Sequence, residues 1–105
     1  VKVYICYHWE FMDFGHGPFK DGMVLHVAST KEKAEKFMKR QWCDPYSWWE
    51  LIEFELDGEE GNPVADYITL GFYGNRGGKL RGEPRERCLA AYWKCKGDSK
   101  HHLNA

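Results

Sequence analysis

Val1, Val3, Ile5, Tyr7 and Trp9 alternate with Lys2, Tyr4, Cys6, His8 and Glu10. A period of two sends successive side chains to opposite faces of an extended chain, so this opening predicts a strand with the Val/Ile row buried. Residues 11–22 break the alternation with three glycines and Pro18, end on Asp21-Gly22, and predict a long connection. Its apolar residues Phe11, Met12, Phe14 and Phe19 are expected to fold back over the core, because long structured loops pack on their own side chains; display to a partner is the alternative. Met23–Ala28 predicts a second strand.

Ser29 with Glu32 three residues on forms a capping box and predicts a helix start. Ala34, Phe37, Met38, Gln41 and Trp42 share one face of that helix, Lys31, Lys33, Glu35, Lys36, Lys39 and Arg40 cover the rest, and Asp44-Pro45 ends it. The period of two returns at Trp48, with Trp48, Glu50, Ile52, Phe54 and Leu56 on one side and Trp49, Leu51, Glu53, Glu55 and Asp57 on the other, predicting a half-buried third strand. Residues 57–63 form a turn cluster, and Val64–Tyr73 predicts a fourth strand antiparallel to the third. Residues 74–83 hold four glycines and three cations and predict a flexible loop. Pro84 suits a first helical position and Gly97 the residue beyond a helix end, so Arg85–Lys96 predicts a second helix, with a short strand over Leu89–Trp93 as the alternative.

The order ββαββα implies an α+β domain: a small, mainly antiparallel four-stranded sheet with two helices on one face. The expected domain spans residues 1–97, followed by a flexible tail at 98–105. The other sheet face would then carry Trp49 and Leu51 beside Glu53 and Glu55, partly apolar and open to dimerisation or a partner, unless the connection at 11–22 covers it.

Composition sharpens this picture. At 105 residues, with five Trp, six Tyr and six Phe, the chain has one core and ample apolar surface to build it. No apolar run approaches the roughly 20 residues of a membrane-spanning helix, so a soluble protein is expected. Cys6, Cys43, Cys88 and Cys95 allow two disulfides by count, but a domain rich in Trp and aliphatics needs no staples, so reduced thiols and a cytoplasmic home are expected. The net charge of −1 conceals two halves: residues 1–70 carry −6 and residues 71–105 carry +5. Either the halves neutralise each other within the fold, or the basic segment faces an anionic partner.

Val3-Tyr4 opening a strand, Val27-Ala28-Ser29-Thr30-Lys31-Glu32-Lys33-Ala34 entering a helix, and Trp49-Glu50-Leu51-Ile52-Glu53 leading to Leu56-Asp57 form a pattern over residues 1–57. It resembles a recurring arrangement in small prokaryotic and phage α+β domains. The resemblance implies the fold, and those domains bring no catalytic residues to carry over.

Four kinds of chemistry compete. Cys88, Cys95, His101 and His102 are four potential metal ligands within fifteen residues, but a helix would hold the two cysteines two turns apart rather than on a tight turn, so no metal or other cofactor is expected. His8, His16 and His26, the first and last on strands expected to pair, could serve acid–base or nucleophilic chemistry with a cysteine such as Cys6, although no nucleophile elbow, phosphate loop or metallopeptidase helix accompanies them. The basic loop 74–87 with Arg76, Lys79, Arg81, Arg85 and Arg87, beside Phe72, Tyr73, Tyr92 and Trp93, could follow a phosphate backbone and stack bases. The leading expectation is a non-catalytic interaction module, binding a protein partner or a second copy through aromatic surface, with Trp49 on the spare face, and through opposite charge patches.

Overall fold

The computed structural model describes residues 1–13, 15, 17–56 and 67–104, with side chains in the last helix as far as Cys95. The chain is α+β. Its elements are β1 (Lys2–Met12), β2 (Phe19–Ala28), α1 (Lys31–Lys39), β3 (Ser47–Glu55), β4 (Ile68–Tyr73), a single 3-10 turn (Asn75–Gly77), β5 (Lys79–Leu80) and α2 (Arg85–Asn104). The strands form one antiparallel sheet in the order β2-β1-β3-β4-β5. Five strands replace the expected four because Lys79 and Leu80 pair with Tyr73 and Phe72.

The first hairpin is longer than its glycines suggest. β1 and β2 stay paired out to Met12 opposite Phe19, leaving only residues 13–18 as the connection. Asp13 closes it: its Oδ1 accepts the Gly15 and Gly17 amides at 2.7 and 3.1 Å, and both glycines hold positive φ, a region costly for residues with a Cβ. Phe11 is buried, Phe19 is exposed, and Phe14 and His16 lie outside the described residues, as does the turn cluster at 57–63. Within β2, Gly22 lies opposite Trp9, and a Cβ there would overlap the rings of both Tyr7 and Trp9.

The cap of α1 is Thr30 rather than Ser29, its Oγ1 accepting the Lys33 amide at 3.2 Å. The helix ends at Lys39, short of Gln41 and Trp42: the Arg40 and Gln41 amides turn back to Phe37 O and Met38 O in tighter i−3 bonds, and Pro45 has no N–H to offer Gln41 O. The Arg76 amide donates to Gln41 O at 2.9 Å and Asn75 Oδ1 accepts the Cys43 amide at 3.0 Å. Trp42 is left 64% exposed instead of sharing the buried face of the helix. The glycine-rich segment expected to be a flexible loop is thus a hydrogen-bonded turn seated on the end of α1. Arg76 sits there at φ 55°, and the Gly77 Cα lies so close that a Cβ would be 3.2 Å from the Lys39 Cα.

The two helices lie on opposite faces of the sheet, not on one. Trp48 and Trp49 are consecutive on β3, so they must point to opposite sides. Trp49 packs with Cys6, Leu51, Tyr73, Ala28 and the α1 residues Ala34 and Met38, while Trp48 packs with Phe11 and the α2 residues Cys88 and Tyr92. The hydrophobic pattern misleads here: the fully buried β1 side chain under α1 is Cys6, on the row expected to be polar, whereas Val3, Ile5, Tyr7 and Trp9 are only half-buried. β3 is central in the sheet, with α1 over its Trp49 and Leu51 and α2 over its Trp48, and is the spine of the fold. Pro84 immediately precedes α2, with its carbonyl accepting the Cys88 amide at 2.9 Å, and the helix continues through Gly97 to Asn104 where an end at Lys96 was expected. A single interior glycine costs a helix only about 1 kcal/mol relative to alanine. No helix among the described residues is long and apolar enough to cross a membrane.

Candidate recognition surface

α2 covers only one end of its sheet face, over Phe11, Trp48, Phe72 and Leu80. Toward the other end the same face carries Ile5, Tyr7 and Trp9 from β1 and Glu50, Ile52 and Phe54 from β3, in a register that sets Ile5 opposite Ile52 and Tyr7 opposite Glu50. With Val24 of β2 and Tyr67 just before β4 these side chains line a pocket of about 360 Å³. Two aromatic pairs form its walls: Tyr7 with Trp9, ring centroids 4.6 Å apart, and Phe54 with Tyr67, 5.6 Å apart. Gly22 makes the first pair possible, since its missing side chain is the space the two rings occupy.

One charge stands in this apolar lining. Glu50 Oε1 accepts the Trp9 indole N–H at 2.9 Å, and Glu50 Oε2 accepts the Thr69 hydroxyl at 2.5 Å. Both oxygens are therefore aimed, and no Lys or Arg among the described residues forms an ion pair with this carboxylate. Lys20 holds its Nζ 4.2 Å from the Trp9 ring centroid and pairs with Glu83 at 3.0 Å. The pocket adjoins the free edge of the sheet, where β2 exposes Met23, Val24, Leu25 and Val27.

The expected site residues are distributed differently. Trp49, 1% exposed, and Tyr73, 4% exposed, belong to the core beneath α1 and present nothing to a partner. The open apolar surface is on the opposite side of β3 from Trp49 and Leu51, because α1 covers those two. Phe72 packs against the cluster under α2. Arg76, Lys79, Arg81, Arg85 and Arg87 are all exposed, and none forms an ion pair among the described residues, so the charge halves do not neutralise each other through direct contacts there. Lys79, Arg81 and Arg87 share a shallow depression of about 510 Å³ with Glu83. A second basic depression, of about 480 Å³, runs along α1 between Lys33, Lys36, Arg40 and His26.

The histidines do not meet across the strands. His26 is opposite Cys6 and stacks on Phe37 at 4.2 Å, whereas His8 is opposite Met23 and rests 4.7 Å from the Trp49 ring. Burial lowers the His8 pKa against the opposing pull of Glu10 and Asp44. Burial also pushes the Cys6 thiol up to about 11, and its Sγ donates to Ala34 O at 3.5 Å, so at neutral pH it is a protonated packing group rather than a nucleophile. Cys43 and Cys88, likewise raised by burial, both donate to Ser47 O at 3.8 Å. All four cysteines are free thiols, three buried and Cys95 exposed. Among the described residues no three His, Cys, Asp or Glu side chains are grouped to hold a metal; the His101 and His102 side chains lie outside them.

Sequence reasoning missed the pocket although its signal was present. Ile5, Tyr7 and Trp9 and Glu50, Ile52 and Phe54 are the two rows it had singled out as strand faces. What it lacked was the pairing of β1 with β3 and the division of the helices between the two sides. No protein-family model, no curated protein and no solved structure matches the chain.

Proposed function

We propose that the protein is a small non-catalytic binding module whose recognition surface is the aromatic pocket on the sheet face beyond α2. One observation carries this reading. Two aromatic pairs, two isoleucines and an aimed carboxylate line a concave site of about 360 Å³ that no described element covers. Concave, mainly apolar sites with a few oriented polar groups are the usual form of ligand pockets, and aromatic residues dominate binding hot spots.

A displayed peptide library selected on the wild-type protein and counter-selected on Phe54→Ser tests the reading. Ligands enriched by the first and rejected by the second support it. Enrichment indifferent to Phe54 places recognition elsewhere.

A second reading, nucleic-acid binding, is favoured by the juxtaposition of the Arg76 turn with the end of α1. This brings Arg76 beside Gln41 and the exposed Trp42, with Arg40 one residue further back. Exposed cations around an open aromatic ring suit a single strand, where phosphates meet the charges and a base stacks. Salt-dependent retention of single-stranded DNA or RNA, lost in a variant with Arg76, Lys79 and Arg81 replaced by Ala, supports this reading; retention unchanged by the replacements removes it.

A further inference from the structure

Resting on the pocket as the recognition surface, we infer that its ligand is the alkylammonium end of a lysine side chain carried on a basic segment of a partner protein. The carboxylate is the first ground. Glu50 is held from one side by Trp9 Nε1 and from the other by Thr69 Oγ1. A carboxylate offers about four acceptor positions, so each oxygen keeps capacity for a further donor. No cation of the described residues takes it.

The walls are the second ground. Aromatic faces attract ammonium groups through the ring quadrupole. Trp9 does so within this molecule, with Lys20 Nζ over its ring, and Glu83 balances the charge of that lysine. A lysine stem lies well along apolar side chains while its head reaches a polar partner, and Ile5, Ile52 and Val24 provide that apolar bed.

Charge complementarity is the third. Between Arg40 and Arg76 the chain has eight Asp and Glu and not one Lys or Arg. Within this acidic stretch Glu50 is the carboxylate that lines the pocket, Glu53 and Glu55 fall on the opposite face of β3, and residues 57–66 contain no Lys or Arg. A stretch of chain with this net charge draws in a basic partner and repels an acidic one. Lysine is favoured over arginine because an ammonium needs only one remaining position on either oxygen, whereas the guanidinium fork needs the remaining positions of both oxygens together.

The test follows the Trp9 indole N–H resonance of isotope-labelled protein, assigned with a Trp9→Phe variant, during titration with end-blocked five-residue Gly/Ala peptides. The peptides differ only at the central residue: lysine, norleucine (the same length without the charge) or arginine. The expected result is a shift of the Trp9 signal by the lysine peptide with affinity about tenfold above that of norleucine. Glu50→Gln, which keeps the size and one acceptor for the Trp9 N–H and leaves the Thr69 hydroxyl to accept from the amide NH2, is expected to remove that advantage while changing norleucine binding far less. Equal binding of lysine and norleucine overturns the ammonium assignment and leaves the apolar pocket standing. Tighter binding of arginine overturns the choice of lysine. Absence of any shift by all three at about 10 mM, a concentration that detects contacts worth only a few kcal/mol, overturns both the assignment and the recognition surface itself. Should Glu50→Gln fail to fold, the wild-type peptide series decides alone.

Discussion

Gly22→Ala puts one methyl group where the pocket has no room for it. A Cβ at this position would overlap the Tyr7 ring and come within 2.6 Å of Trp9 Cε3. Neither ring can yield freely: the Trp9 indole is tied to Glu50, lies 4.6 Å from Tyr7 and is flanked by Lys20. Two effects of opposite sign compete. Replacing glycine by alanine restricts the unfolded chain and stabilises by about 0.4–1 kcal/mol where the new side chain fits. Forcing a methyl group into a filled site costs roughly 1–3 kcal/mol. The clash wins by about 1–2 kcal/mol, and at roughly 4–8 °C per kcal/mol for a domain of this size the melting temperature falls by some 5–15 °C. Gly82→Ala is the control, since a Cβ there meets nothing within 4 Å; it should melt at or slightly above the wild-type temperature. Circular dichroism melts of the three proteins under identical conditions read both effects. A Gly22→Ala protein as stable as Gly82→Ala would refute the claim that the glycine makes space for the aromatic pair.

Other consequences can be measured as directly. An aromatic disulfide reagent at pH 7.5 should modify one thiol per native chain rapidly, the exposed Cys95, and the remaining three only after denaturation; rapid modification of two or more would contradict the buried positions of Cys6, Cys43 and Cys88. His8 has a folded pKa lowered from 6.5, so the unfolded chain binds its proton first as the solution is acidified. Stability from this group is complete above pH 6.5 and declines as pH falls through the lowered folded value, and urea titrations at pH 7.5 and 5.5 should show a smaller loss in His8→Gln than in the wild type. Gly77→Ala strains a residue at φ +73° and presses on the Lys39 backbone, at a cost of roughly 1–3 kcal/mol. Faster hydrogen exchange at the Arg76 amide should report release of the turn from α1, and unchanged exchange would show that the turn is not held by this close approach.

The strands and helices themselves were largely legible, since each rests on local periodicity. The alternation opening the chain is β1, that from Trp48 as far as Glu55 is β3, and the pattern from Lys31 to Met38 is α1. The pairings of β1 with β2 and of β3 with β4 were legible too, but that of β1 with β3 and the short edge strand β5 were not. Lys79 and Leu80 are too short to show a period and become strand only because Phe72 and Tyr73 offer an edge. Trp42 has the spacing of a buried helical residue, yet the helix stops before it, and Asn75 and Arg76, over thirty residues away, bond the Cys43 amide and Gln41 O beyond the helix end. The candidate site shows the same limit. Trp49 and Glu50 differ by one position, and nothing local decides which of their two faces receives α1. That choice turned Trp49 into core and left Glu50 at the pocket, while the exposed cations of residues 76–87 needed only their glycine-rich and charged composition to be placed on the surface.

The back-to-back indoles of Trp48 and Trp49 have a practical consequence for any mutational map of binding. They hang from one stretch of backbone, and Glu50 is the next residue along it. A substitution at Met38 or Ala34 that lets Trp49 settle differently would rotate that stretch and re-aim the carboxylate on the other side of the sheet. Such positions would score as binding residues without ever touching a ligand, so a scan of this protein separates contact from leverage only when each loss of binding is set against the Trp9–Glu50 hydrogen bond, visible in the indole resonance.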